Sequence, residues 1–200
     1  MRELSVLCVT NRRLCQGDFL SQIERIAQGR PKAILLREKD LPEEDYRHLA
    51  IQCLERCRCY QVELIVHSHL QIARDLCISK IHLPFQRFLE EQGNFRGMWV
   101  EVSIHSREEA RRAQEMGAHS VIAGHIYPTY CKPGLPPRGT TFLKEVVQSV
   151  SIPVYAIGGI IPEHAGEIAE TGAAGVCLMS SLMAAQDPKK ILREYRGEKG

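Results

Sequence analysis

The chain has 200 residues, of which 44% are hydrophobic and 25% are charged, and its formal net charge is +2. This composition is typical of a folded globular protein and argues against a disordered chain. Basic and acidic residues are interspersed, so the sequence shows no basic stripe of the kind that binds nucleic acid or a membrane surface.

The length predicts a single domain over residues 1–200. The sequence shows no signal peptide, and no apolar run approaches the ~20 residues of a membrane-spanning helix. We therefore expect a cytoplasmic protein whose cysteines are reduced. Four of the eight cysteines are predicted to be packing residues, namely Cys8, Cys53, Cys57 and Cys177.

Short apolar runs along the chain predict buried strands. They are residues 5–10, 33–36, 63–66, 80–83, 98–103, 120–124, 154–157 and 175–178. Sequences with helical periodicity lie between these runs, and parallel strands require such crossover connections. The alternation predicts an α/β fold, a single (β/α)8 TIM barrel.

The predicted helices carry recognisable end signals. The clearest helix is 106–116, where Ser106 and Glu109 form a capping box and Gly117 supplies the left-handed residue at the end. A helix over 42–57 begins with proline and places its apolar residues on one face. The other predicted helices are 18–28, 70–76, 85–91, 141–150, 162–171 and 188–195.

The longest irregular stretch, residues 126–139, contains four prolines and two glycines. A connection of this length in a compact barrel usually has a function, and we interpret it as a candidate lid. Active sites of such barrels lie at the C-terminal ends of the strands. Polar residues that directly follow the apolar runs are therefore the candidate site residues.

A phosphate site is predicted after the last two strands. Gly158 and Gly159 follow the seventh strand, and Met179 and Ser180 follow the eighth. Loops at these positions often bind phosphate through backbone amides, which glycine leaves accessible. The alternative interpretation is that the two glycines merely turn the chain.

Basic residues near other strand ends are candidate ligands for an anion. Arg37 and Lys39 follow the second strand, and Lys132 lies in the 126–139 stretch. A guanidinium group can pair with a carboxylate or a phosphate through two hydrogen bonds. Glu38 should point the other way and is predicted to be structural.

Histidine suits proton transfer because its ordinary pKa lies near neutrality. His125 directly follows the sixth strand and is the best-placed candidate for a catalytic acid or base. His67 and Ser103, at the ends of the third and fifth strands, are candidate substrate ligands. His82 is predicted to pack within the fourth strand, and His164 is predicted to face solvent.

Two other chemistries are less favoured by the residues. Cys57, Cys59 and the nearby histidines lack the paired spacing of a zinc site, so no metal site is predicted. Cys131 could be an activated thiol near His125, but a bystander cysteine is the preferred interpretation.

The segment AGHIYPTYCKPGLPPRG, residues 123–139, resembles the thiamin phosphate synthase superfamily, as do SIHSREEA before it and SIPVYAIGG and LMSS after it. The segment is most similar to the thiazole tautomerase, or TenI-like, branch. The resemblance runs from LLREKD, residues 35–40, to the last strand, and it is most specific around His125. Dimers are common in this family, so the resemblance implies a homodimer.

The resemblance also bears on metal binding. In the synthase branch an Asn-Asp pair ends strand three and a further aspartate follows strand four, and these acids hold the magnesium that binds the pyrophosphate of the pyrimidine substrate. Here His67 and Ser68 replace the pair, and residues 84–87 are PFQR. Magnesium requires oxygen ligands, usually carboxylates. We therefore expect no metal, no cofactor and no synthase reaction.

The tautomerase branch carries a histidine directly after the strand-six glycine, and His125 matches it. The resemblance implies an isomerase that converts a carboxylated thiazole phosphate tautomer into its aromatic form by histidine acid/base proton transfer. The basic residues named above would bind the substrate carboxylate. Whether His67, His69 or Cys131 shares the proton transfer stays open, and the tautomerases have asparagine where this chain has His67.

Two alternative functions stay open. One is a thiamin phosphate synthase with relocated metal ligands, and the other is a non-catalytic barrel that binds thiazole phosphate or thiamin phosphate and regulates a partner. The fold alone does not separate them, because barrels host many functions. In each case the expected ligand is a small phosphorylated molecule.

Overall fold

Each apolar run identified in the sequence forms a strand in the computed structural model of the protein, which describes residues 4–130 and 134–197. The strands are β1 (Ser5–Val9), β2 (Ala33–Leu36), β3 (Glu63–His67), β4 (Lys80–Pro84), β5 (Trp99–Ile104), β6 (Ser120–Gly124), β7 (Val154–Ile157) and β8 (Gly175–Leu178). They follow chain order around a closed barrel. The predicted (β/α)8 TIM barrel is therefore confirmed.

Helices connect the strands at nearly all the predicted places. They are α1 (Phe19–Gln28), α2 (Glu43–Cys59), α3 (Leu70–Asp75), α4 (Phe85–Glu90), α5 (Arg107–Glu115), α6 (Gly139–Ser149), α7 (Ala165–Glu170), α8 (Ser180–Met183) and α9 (Pro188–Arg196), with short 3-10 helices at Arg12–Leu14 and Pro162–His164. The sequence does not predict α8 or the 3-10 helix at Arg12–Leu14, because four and three residues are too few to show a periodic pattern. Within the described ranges, no helix is long and apolar enough to cross a membrane.

The described chain divides into two compact units. The first unit contains residues 5–81 and 178–197, and the second contains Leu4 with residues 82–130 and 134–177. In the first unit α1 packs on α2, and β1, β2 and β3 pair in parallel. In the second unit β5, β6 and β7 pair in parallel.

The α1 helix shows how the sequence directs packing in the first unit. It begins after Asp18, whose carboxylate accepts a hydrogen bond from the Ser21 amide at 2.7 Å. Ile23, Ile26 and Ala27 are buried, and their spacing places them on one face of the helix. This face therefore belongs to the core of the first unit.

The cysteines predicted to be packing residues are buried free thiols. They are Cys8, Cys53, Cys57 and Cys177. Burial disfavours the charged thiolate and raises the pKa of Cys57 to about 12. Burial also raises the pKa of Cys8 and Cys53, and all four buried thiols act as small apolar side chains, as predicted.

The capping signal at α5 is confirmed with one difference. The Ser106 hydroxyl accepts a hydrogen bond from the Glu109 amide at 3.0 Å. The Glu109 carboxylate accepts one from the His105 amide at 2.6 Å, one residue before the position expected for a capping box. Gly117 follows the helix with a φ of 91°, as its left-handed role requires.

Candidate active site

In the second unit, the backbone after β6 packs directly on the backbone after β7. The Ile126 amide donates to the Ile157 carbonyl at 2.9 Å, and the Tyr127 amide donates to the Gly158 carbonyl at 3.0 Å. Gly124, at the end of β6, lies opposite Ile157, where an added Cβ would come within 2.7 Å of the Ile157 carbonyl oxygen. The residue before His125 must therefore be glycine.

Gly158 and Gly159 form the turn that receives this backbone. Their φ angles are 100° and 65°, which are accessible to glycine and strained for most other residues. A Cβ on Gly158 would lie 2.9 Å from the His125 Cα, and a Cβ on Gly159 would lie 2.8 Å from the Tyr127 carbonyl carbon. Packing of the two backbones thus requires both glycines, whether or not a phosphate binds there.

His125 is buried at the end of β6, and its ring is engaged with the connection to α6. Its Nε2 lies 3.2 Å from the Leu135 carbonyl oxygen, and its carbonyl accepts a hydrogen bond from the Arg138 amide at 3.0 Å. A carbonyl oxygen only accepts hydrogen bonds, so Nε2 must carry the hydrogen. In a neutral His125 ring, Nδ1 is therefore the nitrogen that can take up a proton.

His82 and Ser103 form a polar pair between neighbouring strands, β4 and β5. The His82 Nε2 lies 2.8 Å from the Ser103 Oγ, while His82 is buried and Ser103 is half-buried. The prediction that His82 only packs is incomplete. A lone histidine in an apolar run gives no sign of its partner, which lies 21 residues further along the chain.

In the first unit, Glu38 ties the ends of β1 and β2 together. It is 2% exposed and accepts hydrogen bonds from the Thr10 hydroxyl at 2.7 Å, the Arg12 amide at 3.0 Å and the Arg12 guanidinium at 3.1 Å. The Arg37 amide donates to the Thr10 hydroxyl oxygen at 2.9 Å. Glu38 is therefore structural, as predicted, and it fixes the backbone between Arg37 and Lys39.

Asp40 extends this network at the surface. Its two oxygens pair with the two terminal nitrogens of Arg12 at 2.6 and 2.8 Å, and Arg13 lies at 2.6 Å. The Arg12 hydrogen bonds lower the pKa of Asp40 to about 2. Arg37 is half-buried and Lys39 is exposed beside this ion-paired segment.

Tyr46 links the ends of β2 and β3 in the first unit. Its hydroxyl donates to the Leu36 carbonyl at 2.6 Å and accepts from the His67 amide at 3.0 Å. Its ring lies against that of His69, with the centroids 4.2 Å apart. The helical pattern predicts a buried face that includes Tyr46, but it does not predict that the hydroxyl binds the His67 amide. His67 is itself buried.

The remaining predicted site residues lie in two other places. Met179 is half-buried and directly precedes α8, and Ser180 is exposed at its first position. They belong to the first unit, whereas Gly158 and Gly159 belong to the second. Lys132 and Cys131 lie outside the described residues.

The side chains at the positions that carry the magnesium ligands in the synthase branch do not fit magnesium. Ser68 is buried with a φ of 64°, and residues 84–87 lead from β4 into α4 without an acid. In the described part of the chain, no cluster of three or more His, Cys, Asp or Glu side chains could hold a metal ion. Imidazole, guanidinium and a lone hydroxyl are poor substitutes for the carboxylates that magnesium prefers.

The His82–Ser103 contact makes a testable prediction about stability. We expect His82→Phe and Ser103→Ala each to lower the free energy of unfolding by about 1–3 kcal/mol, because each leaves a buried polar group without this partner. Urea denaturation of both single variants and the double variant measures the coupling. If the double variant loses as much free energy of unfolding as the two single variants together, the contact does not contribute to stability.

Comparison with known proteins relates these features to a family. Residues 6–182 match the family model TMP-TENI, described as thiamine monophosphate synthase. The thiamine-phosphate synthase of Methanobrevibacter smithii is 32% identical, with 98% of this chain and 97% of that protein aligned. The thiamine-phosphate synthase of Syntrophomonas wolfei is also 32% identical, with 97% of this chain and 95% of that protein aligned.

A solved structure agrees with these sequence relatives. The thiamine phosphate pyrophosphorylase from Pyrococcus furiosus superimposes with a TM-score of 0.84 at 27% identity, over 98% of this chain and 95% of that one. The similarity to these relatives therefore extends over nearly the whole chain and is not limited to the segment around His125.

Proposed function

Because the chain belongs to the thiamine monophosphate synthase family, we propose that it is an enzyme of thiamine phosphate synthesis that joins a pyrimidine carrying a pyrophosphate to a thiazole phosphate. The observation that carries this proposal is the 32% identity over 97% of a relative with that name. An identity of this size over almost all of both chains gives more support than any single motif.

The tautomerase function predicted from the sequence is wrong. It rests on the histidine after Gly124 and on the missing acids, whereas the relatives that match over nearly the full length are named thiamine-phosphate synthases. The superfamily is confirmed, and the isomerase class is not supported. Enzyme activity in thiamine biosynthesis is the part of the prediction that is retained.

The proposed thiazole phosphate site uses the turn after β7. Gly158 and Gly159 would present backbone amides to the phosphate. Ser103, oriented by His82, is the proposed hydrogen-bonding partner for an uncharged part of the substrate.

The pyrophosphate of the other substrate needs positive charge that carboxylate-held magnesium cannot supply here. Arg37 and Lys39, both in the first unit, are the proposed sources, because a guanidinium group can bind two phosphate oxygens at once. The buried Glu38 supports this role, since it holds the backbone between Arg37 and Lys39. His67, where the synthases have asparagine, is a proposed substrate ligand in the same unit.

A second candidate function is a barrel that binds thiazole phosphate or thiamine phosphate without turnover. The observation that favours it is the absence of an acid at Ser68 and over residues 84–87, where the synthases carry their aspartates. Such a protein would retain the phosphate turn and lack the means to activate a pyrophosphate leaving group.

An assay of purified protein separates the two functions. With the pyrimidine pyrophosphate, thiazole phosphate and magnesium present, we expect thiamine phosphate to form, as measured by chromatography. Calorimetric titration with each substrate should accompany the assay. Binding of thiazole phosphate without any product would contradict the synthase proposal and favour the non-catalytic barrel.

A chelator tests how the phosphate is held. We expect EDTA to leave the affinity for thiazole phosphate unchanged, because the proposed ligands are backbone amides. Titration with and without EDTA measures this, and Gly159→Ala is the matched variant that should weaken binding. A tenfold or larger loss of affinity with EDTA, restored by magnesium, would contradict the metal-free phosphate site.

We propose that His125 is the general acid of the synthase reaction: as the pyrimidine is joined to the thiazole and pyrophosphate leaves, His125 donates a proton to the departing pyrophosphate. The variant His125→Gln tests this role, because the glutamine amide can keep the hydrogen bond to Leu135 but cannot deliver a proton from the second ring nitrogen, Nδ1. We expect a normal melting temperature and a fall in turnover of ~10² to 10⁴, the usual contribution of a positioned acid or base. Turnover equal to that of the parent protein would assign His125 to packing alone.

A further inference from the structure

Glu167, on α7, connects the two ends of the segment between β6 and α6. The Tyr127 hydroxyl donates to one carboxylate oxygen at 2.6 Å, and the Thr140 hydroxyl donates to the other at 2.7 Å. Tyr127 lies just after β6, and Thr140 is the second residue of α6. One side chain therefore holds both ends of a long connection.

The backbone closes the same segment at its base. The Arg138 amide donates to the His125 carbonyl, and the Gly139 amide donates to the Ile126 carbonyl, both at 3.0 Å. We call the described residues 125–127 and 138–140 the loop base. The loop base is thus closed twice, once by backbone hydrogen bonds and once through the Glu167 carboxylate.

Tyr127 is held at its ring as well as at its hydroxyl. The His164 ring stacks on it with the centroids 3.7 Å apart and an angle of 11° between the planes. The prediction that His164 simply faces solvent is therefore wrong, because this half-buried ring packs on Tyr127. The sequence pattern predicts an exposed helical position at 164, because it contains no signal for the ring contact with Tyr127, which is distant in the chain.

The charge of Glu167 strengthens both hydroxyl contacts. The hydrogen bonds from Tyr127 and Thr140 lower the pKa of Glu167, so it is ionised near neutral pH. Burial, together with the neighbouring carboxylate, raises the pKa of Tyr127, so its hydroxyl keeps its proton and donates. Hydrogen bonds to an ionised acceptor are stronger than those between neutral groups.

We propose that Glu167 is a positioning residue, which keeps His125 and the Gly158–Gly159 turn in the arrangement needed to bind the phosphorylated substrate. The connection runs through Tyr127, whose side chain is fixed by Glu167 and whose amide donates to the Gly158 carbonyl at 3.0 Å. The proposal rests on the proposed function for its ligand, but its structural part does not depend on any ligand.

Trypsin cleavage after Arg138 reports on the loop base without substrate. Arg138 is exposed to solvent, but its backbone amide is hydrogen-bonded within the loop base. We expect Glu167→Ala to increase the rate of this cleavage by about tenfold, as loss of ionic hydrogen bonds should open the base more often. Glu170→Ala, an exposed acid at the end of the same helix, is the matched control and should be cleaved like the parent.

Conservative variants separate the hydroxyl contacts from general packing. Tyr127→Phe keeps the stack on His164 and removes one hydroxyl, and Thr140→Val keeps the shape and removes the other. We expect each variant to raise the rate of cleavage a few fold. Glu167→Gln should be cleaved more slowly than Glu167→Ala, because the glutamine amide oxygen can still accept a hydrogen bond. When Glu167→Ala is already present, adding Tyr127→Phe should raise the cleavage rate little further, because the contact between the two side chains is already lost.

Activity measurements test the positioning role. With the synthase substrates, Glu167→Ala should raise the KM for thiazole phosphate by about tenfold, and Glu167→Gln should recover part of it. Cleavage of Glu167→Ala at the rate of Glu170→Ala would overturn the proposal, and so would faster cleavage with an unchanged KM. If the parent protein binds and converts no substrate, the proposed function fails, while the cleavage rates still decide whether Glu167 closes the loop base.

Discussion

The close approach of two backbone segments, residues 124–127 and 157–159, determines the geometry at the ends of β6 and β7. A side chain at position 124, 158 or 159 would collide with the opposite segment. Because three glycines allow this contact, His125 lies next to the turn that is the proposed phosphate site. Tyr127, Thr140 and Glu167 then reinforce an arrangement that the glycines make possible.

The strands and most helices could be predicted from the sequence because their signals are local. Apolar runs, capping residues and terminal glycines act over a few positions, and the strand ends differ from the structure by one residue or less. The polar contacts at the site could not be predicted in this way. His82 with Ser103, Tyr46 with the His67 amide, and Glu167 with Tyr127 each join residues that only the fold brings together.

The functional prediction failed for a related reason. A single histidine after a strand and the absence of two acids are local features, and related barrels that catalyse different reactions are not distinguished by them alone. The similarity to thiamine-phosphate synthases is distributed over nearly the whole chain and is not confined to the segment around His125. The fold could be read from local patterns, whereas the choice between related reactions on that fold needed the full-length comparison.

The backbone at Ser68 has a consequence for substitutions at that position. Its φ of 64° lies in the left-handed region, which asparagine and aspartate tolerate better than serine. An aspartate in place of Ser68 would therefore adopt the local backbone with less strain than the serine does. One carboxylate could be introduced there without a change in the path of the chain.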